Sequence, residues 1–308
     1  MRIAFLGTPE FALPSLDMLV RSGHALHVFT QPDRPVGRHA LLTPPPVKVY
    51  AQAHGIPVSQ FDRIRSPEGV EALRSFAPDL MVTAAFGQIL SAENLSIPQY
   101  GCINVHASLL PKYRGAAPIQ WAIANGETET GVTTMFTDVG LDTGDILLSA
   151  RALIGENETA GELTERLSRL GAETLKKTIA ALESGTLRRK KQDEALATKC
   201  PMLKKEHGRL DFARTVSETH NRARGMTPWP GAYAMLGGEP LKIHATRKSG
   251  LPAGTEPVGT LAGSAKTGLF VRCADGWLEI KELQAAGGKR LDAGTFLAGR
   301  PLEGRVLT

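Results

Sequence analysis

The sequence predicts an α/β protein: a mostly parallel, Rossmann-like sheet with helices on both faces, followed by a smaller all-β domain. Three observations carry this. The first half alternates short apolar runs, bounded by Gly or Pro, with helical patterns, the signature of βαβ units. From Gly208 onward, strand-like runs alternate with Gly and Pro at a spacing of about ten residues, as in small barrels and sandwiches. The length of 308 residues exceeds one average domain.

The elements follow in order. Residues 2–7 (RIAFLG) read as a buried strand, 14–21 as a short helix ending near Gly23, and 25–31 as a second strand. The stretch 32–46 is too rich in Pro and Gly for regular structure. Residues 47–54 form a helical turn or two, 57–61 a strand and 67–76 a helix. The runs 79–86 (DLMVTAAF) and 102–107 (CINVHA) are further strands. Such sheets bind ligands at the carboxyl ends of their strands, so functional residues belong just after strands. Past Trp121 two β-branched runs, 130–138 and 145–154, suggest a hairpin-like pair. Residues 163–182 have apolar positions at helical spacing and close the first domain. The expected organisation is a first domain over 1–185, a charged linker over 186–207 and a second domain over 208–308.

Composition excludes several classes. With 42% hydrophobic and 22% charged residues the chain is ordinary globular material. No run approaches the roughly 18 apolar residues of a membrane span, and MRIAFLG is too short for a secretory signal. A soluble, cytoplasmic protein is expected. Cys102, Cys200 and Cys273 are too scattered for a disulfide framework or zinc knuckle. The eight histidines show no i, i+4 pairs, so no metal site is expected. There is no Walker loop, no G-x-G-x-x-G and no G-x-S-x-G elbow. Residues 1–185 carry 15 Lys and Arg against 19 Asp and Glu, a net of −4. Residues 186–308 carry 21 against 12, a net of +9. A basic second part suggests a polyanion, with nucleic acid the usual candidate and a solvated surface the plain alternative.

Two residues stand out chemically. Asn104 and His106 are two apart on a strand and share one face. An amide that can donate to an oxyanion, beside an imidazole that handles a proton, suits acyl transfer. The bland alternative is that each satisfies buried backbone groups. A carboxylate could hold the imidazole in one tautomer and stabilise its charged form. Asp138, Asp142 and Asp145 are all available in the turn after residue 137, and spacing does not choose among them. Cys102 shares the face of Asn104, but nothing motivates a thiol mechanism.

The segment Ser-Leu-Leu-Pro-Lys-Tyr-Arg-Gly at 108–115, read with Asn104, His106 and the turn Leu141-Asp142-Thr143-Gly144, resembles the folate-dependent formyltransferases. The stretch 102–123 (CINVHASLLPKYRGAAPIQWAI) and the loop 31–37 (QPDRPVG) resemble the branch acting on methionyl-tRNA. Later matches are Lys205-Glu206, Gly208-Arg209-Leu210-Asp211 and 228–233 (PWPGAY). The resemblance implies transfer of a formyl group from 10-formyltetrahydrofolate, a consumed co-substrate, to the α-amino group of methionyl initiator tRNA for translation initiation. It implies no metal and no permanently bound cofactor. It places Asn104, His106 and Asp142 at the catalytic centre. Folate contacts fall on Phe86, Gly87, Gln88, Ile89 and Leu90, and on Ser108, Leu109, Leu110 and Pro111.

By the same resemblance the second domain is an OB-like barrel that helps grip tRNA. The stretch 32–46 is similar to an insertion that approaches the acceptor end, with Arg38 as its characteristic arginine. Here Arg38 is followed by His39-Ala40-Leu41-Leu42 rather than by basic residues, so Arg34 and Lys48 are expected to assist. Lys205 and Arg224 are candidate phosphate contacts. A monomer is expected. The competing reading is a UDP-amino-sugar N-formyltransferase, which shares the donor and the chemistry. The QPDRPVG loop, the PWPGAY segment and the basic second half argue against it. An RNA-binding protein with a dead enzyme domain is opposed by the intact Asn104, His106 and Asp142.

Overall fold

The computed structural model describes residues 1–37, 40–300 and 302–308. The chain forms two compact units, each assembled from discontinuous segments. The first comprises Met1–Gly115, Gly131–Ala152 and Thr164–Lys199; the second comprises Ala116–Thr130, Leu153–Leu163 and Cys200–Thr308.

The first unit is built on a seven-stranded sheet. Its strands are β1 (Arg2–Gly7), β2 (Ala25–Thr30), β5 (Val58–Gln60), β6 (Leu80–Ala84), β7 (Cys102–His106), β8 (Glu129–Phe136) and β9 (Ile146–Leu153), in the spatial order β9-β8-β7-β6-β1-β2-β5. The pairs β1·β2, β1·β6, β2·β5 and β6·β7 are parallel, whereas β7·β8 is antiparallel. The central strands are continuous apolar runs because both faces are covered. Ile3, Ala4, Phe5 and Leu6 have no exposed surface, and neither have Val28 and Phe29. Burial of each large side chain is worth about 1.5–3 kcal/mol. The helices are α1 (Leu13–Arg21), α2 (Pro46–Ala53), α3 (Pro67–Phe76), the short α4 (Ala92–Leu95) and most of α6 (Ala160–Glu183). Ser66 caps α3, its hydroxyl accepting the Gly69 N–H with Pro67 at the first turn.

One expectation fails here. The stretch 32–46, read as irregular, contains an antiparallel hairpin of β3 (Arg34–Val36) and β4 (Leu41–Thr43). Pro35 is compatible with it because a two-stranded ribbon has only edges.

The second unit holds an antiparallel sheet of β10 (Tyr233–Leu236), β11 (Glu239–Pro252), β12 (Leu261–Ser264), β13 (Gly268–Arg272) and β14 (Gly276–Gln284), in the order β10-β11-β14-β13-β12. The long β11 shifts register against β14 near Ile243, Ala245 and Lys248, irregularities that bend a strand. Leu241, Ile243, Leu261, Val271, Leu278, Ile280 and Leu283 fill its core with Phe296 and Leu297 of α8 (Ala293–Gly299). The unit is therefore not all-β. It also contains α7 (Val216–Gly225), which packs on α5 (Pro118–Ala124) through Gly225, where a Cβ would lie 3.0 Å from Ala124 N and Gln120 O.

The expected charge asymmetry does not survive folding. The first unit carries 20 Lys and Arg against 16 Asp and Glu, a net of +4, and the second carries 16 against 15, a net of +1. The reversal has a plain cause. Arg188, Arg189, Lys190, Lys191 and Lys199 fold with the first unit, while Glu127, Glu129, Glu156, Glu158 and Glu162 fold with the second.

Candidate active site

Asn104 and His106 lie near the carboxyl end of β7, with Asn104 opposite Thr83 of β6 and His106 opposite Thr133 of β8. Pleating puts both side chains on one face, as their spacing predicts. The Thr83 hydroxyl donates to Asn104 Oδ1 at 2.9 Å. That bond fixes the amide's orientation and leaves Nδ2 without a partner among the described residues. A donor with its direction set and its hydrogens unspent is what a developing oxyanion requires.

His106 is buried and faces acceptors on both sides. Its Nε2 donates to the Tyr113 carbonyl at 2.9 Å, and its Nδ1 lies 3.7 Å from Asp142 Oδ2. Each ring nitrogen thus faces an oxygen. Asp142 Oδ2 in turn accepts the Gly115 backbone N–H at 2.8 Å. Of the three candidate acids, only Asp142 reaches the histidine. Asp138 accepts from Gly140 N–H at 3.0 Å and the Thr143 hydroxyl at 2.7 Å, closing its own turn.

The backbone around this pair is left-handed at two non-glycine residues, Tyr113 (φ 60°) and Asp142 (φ 53°). Such conformations cost of order 1–3 kcal/mol and persist where surrounding contacts impose them. Those contacts come from residues 192–198, within the segment expected to be a linker. Gln192 Nε2 donates to the carbonyls of Asp142 and Gly144, both at 2.8 Å, and its Oε1 accepts from Arg114 Nε at 3.0 Å. Thr198 accepts the Arg114 N–H on its carbonyl and the Tyr113 N–H on its hydroxyl, both at 2.8 Å. Arg114 is only 3% exposed, and Glu194 meets its guanidinium with two hydrogen bonds of 2.7 and 2.9 Å. A guanidinium so buried has to be paired. Nothing local in the sequence marks this bracing, because its partners are 48–85 residues apart.

The two segments expected to contact folate leave the ends of adjacent parallel strands, β6 and β7. The Phe86 carbonyl accepts from the Thr8 hydroxyl at 2.9 Å and Gln31 Nε2 at 3.0 Å, tying together the ends of β1, β2 and β6. Gly87 follows with φ 77°, where a Cβ would run into the Gln31 amide. Phe86 and Leu90 are core residues. Gln88 is committed to Ile64 N–H and the Phe61 carbonyl, both at 2.7 Å, and Ile89 points outward. After β7, the Ser108 hydroxyl donates to Lys112 O at 2.6 Å and Leu110 N–H to Thr133 Oγ1 at 3.2 Å, with Leu109 and Pro111 half-buried between.

The residues expected to meet a polyanion fare differently. Arg38 lies outside the described residues. Arg34 is exposed and donates to Gln31 Oε1 at 3.1 Å. Lys48 is engaged with both Asp33 oxygens and Gln60 Oε1, each at 2.8 Å, and this pairing holds Asp33 below the usual carboxylate range. Lys205 is exposed at the start of a single helical turn. Arg224 is a correction: it is buried, and it donates inward to the carbonyls of Gly155 and Glu158 at 3.0 Å and to Asn221 Oδ1 at 2.9 Å rather than standing on the surface.

Cys102 is buried, and burial pushes its thiol up to about 12, so no thiolate forms there near neutrality. Among the described residues no group of His, Cys, Asp or Glu is arranged to hold a metal ion, and no helix is long and apolar enough to cross a membrane.

Residues 1–179 match the formyl transferase family model, and residues 202–301 match the model of the formyl transferase C-terminal domain. A methionyl-tRNA formyltransferase of Geotalea uraniireducens is 54% identical over 300 residues, covering 97% of this chain and 95% of that one. Another, from Ruminiclostridium cellulolyticum, is 47% identical and covers 98% of each. Among solved structures, an N-formyltransferase from Helicobacter canadensis complexed with folinic acid and dTDP-3-aminofucose has a TM-score of 0.69 at 21% identity, covering 94% of this chain and 99% of that one. HypX from Aquifex aeolicus in complex with tetrahydrofolic acid has a TM-score of 0.66 at 16% identity, covering 98% of this chain and 48% of that one. At such identities these two speak for the fold alone.

Proposed function

The chain belongs to the formyl transferase family, and from that premise we propose that it transfers the formyl group of 10-formyltetrahydrofolate to the α-amino group of methionyl initiator tRNA. The carrying observation is the near-full-length identity of about 50% to methionyl-tRNA formyltransferases. The sugar formyltransferases share the fold at 19–22% identity only, so the amino-sugar reading falls behind. The folate is consumed as a co-substrate. The second unit, read as an OB-like barrel, serves tRNA binding in this account.

The acceptor amine has an ordinary pKa of about 7.7–8.0, so a useful neutral fraction exists near pH 7. Its nitrogen attacks the formyl carbon and the formyl oxygen gathers negative charge. Asn104 Nδ2, the donor left free by Thr83, bonds that oxygen. His106, held in one orientation between the Tyr113 carbonyl and Asp142, is the proton-handling group beside it. The C–N10 bond then breaks. One proton leaves the attacking nitrogen and one reaches N10, with Asp142 and His106 as the acid–base pair at hand. The segments after β6 and β7 form the folate-facing walls.

The test is formylation of charged initiator tRNA with 10-formyltetrahydrofolate, alongside a UDP-amino-sugar and uncharged tRNA. Formylmethionyl product that vanishes in Asn104→Ala and His106→Ala supports substrate and site together. Transfer to the sugar alone overturns the acceptor.

A further inference from the structure

The first unit carries its own cationic surface. Arg188, Arg189, Lys190 and Lys191 form the chain's one run of four basic residues; all are exposed, and none is paired with a carboxylate among the described residues. The run is fixed in place. Lys190 N–H donates to Ile146 O at 2.9 Å and Ile146 N–H to Lys190 O at 2.8 Å, a single antiparallel bridge that ties the run to the first residue of β9, the outermost strand of the sheet. The Arg189 guanidinium stacks over the Phe136 ring, 4.2 Å from its centroid, at the end of β8. The next residue after the run is Gln192, whose amide grips the Asp142 and Gly144 carbonyls. Lys191 is thus one peptide, about 3.8 Å between α-carbons, from the residue that fastens the catalytic loop.

We propose that residues 188–191 form a binding surface for the sugar–phosphate backbone next to the 3′ end of the acceptor tRNA. The inference rests on the functional reading above, since an aminoacyl ester at a 3′ terminus brings its nearest phosphates close to the reacting amine. Four uncompensated cations concentrated on a sheet edge suit closely spaced phosphates, which bind by releasing counterions.

The experiment combines Arg188→Gln, Lys190→Gln and Lys191→Gln and keeps Arg189 on Phe136. The expected result is a KM for methionyl-tRNA raised about tenfold or more near 0.1 M salt, and a plot of log(kcat/KM) against log[salt] shallower by about two. The KM for 10-formyltetrahydrofolate should stay at the wild-type value. A charge-preserving triple variant, Arg188→Lys, Lys190→Arg and Lys191→Arg, should recover both the tRNA KM and the slope. Unchanged tRNA KM and slope in the Gln variant overturn the surface. So does a fall in kcat at unchanged KM, which would make the run a brace for the Asp142 loop. A wild-type protein that formylates no methionyl-tRNA instead overturns the reading of function, and tRNA binding by fluorescence anisotropy then still decides the surface.

Discussion

The side-chain amide of Gln192 donates to the backbone carbonyl of Asp142 at 2.8 Å, across fifty residues of sequence. The same side chain accepts from Arg114, whose neighbours Tyr113 and Gly115 hold His106 and the Asp142 carboxylate. One glutamine therefore couples the two backbone segments that orient His106 and Asp142.

Gln192→Ala should lower kcat about 10- to 100-fold, the scale of a 1 Å misplacement, while the KM for folate changes little. Gln192→Glu keeps the acceptor for Arg114 but cannot donate to the two carbonyls, so it should not recover the rate. Steady-state kinetics beside thermal melts check this. A melting temperature that falls in step with kcat would reduce Gln192 to a stabilising residue.

Asp142→Asn separates charge from geometry. Asn tolerates the left-handed backbone and can still accept the Gly115 N–H, so folding should be spared. The expected loss is at least about 100-fold in kcat with folate affinity intact. Asp142→Ala should lose as much activity and also lower the melting temperature, because Ala is strained at φ 53°. Wild-type turnover in Asp142→Asn would remove the carboxylate from the chemistry.

Thr83 gives a finer test of the amide. Thr83→Val keeps the shape of the side chain and deletes the donor to Asn104 Oδ1. With its orientation unset, the amide should serve the oxyanion less well, costing about 3- to 10-fold in kcat, whereas Asn104→Ala should cost about 100- to 1000-fold. Thr83→Ser should restore the rate. Equal activity in all three Thr83 forms would mean that packing alone orients Asn104.

His220 predicts a pH dependence of stability in the second unit. Burial holds its imidazole below the ordinary 6.5, with Arg224 and Lys248 nearby acting in the same direction and Glu156 against them. Its Nε2 donates to the Glu156 carbonyl at 3.1 Å and its Nδ1 accepts from the Thr246 hydroxyl at 2.8 Å. The folded unit refuses a proton that the unfolded chain accepts. Stability is therefore complete above pH 6.5 and lost as pH falls from 6.5 toward the depressed folded value, by up to about 1.4 kcal/mol per pH unit. His220→Gln should flatten that acid limb in denaturant melts at pH 5–7. An unchanged slope would show that other groups carry it.

Much of this was legible in the sequence because the signals were local. The strand Arg2–Gly7 and the helix Pro67–Phe76 have the bounds that apolar runs and Pro and Gly punctuation predict. Asn104 and His106 were readable from a two-residue period. Asp142 was not separable from Asp138 and Asp145 by spacing, and resemblance alone singled it out. What escaped was non-local. The β3–β4 hairpin hid behind its prolines, and α7 was masked by a segment of low apolar content. Gln192, Glu194 and Thr198 act on partners 48–85 residues away. Nothing in the sequence separates Arg224 from a surface arginine, because two of its three acceptors lie 66 and 69 residues away. The charge halves misled because a cut in sequence is not a cut in space.

The discontinuity of the first unit has a consequence for the order of biosynthesis. A ribosome that has released residue 185 has made every strand of the larger sheet together with Asn104, His106 and Asp142. The clasp at Gln192 and the hydroxyl of Thr198 are still to come. At about 5–20 residues per second they follow within roughly one to three seconds, and only then are Tyr113 and Asp142 held in their strained conformations. The nascent enzyme is thus built scaffold first and armed afterwards. Gene fragments ending at 185 and at 199 should differ in catalytic competence far more than in the sheet they contain.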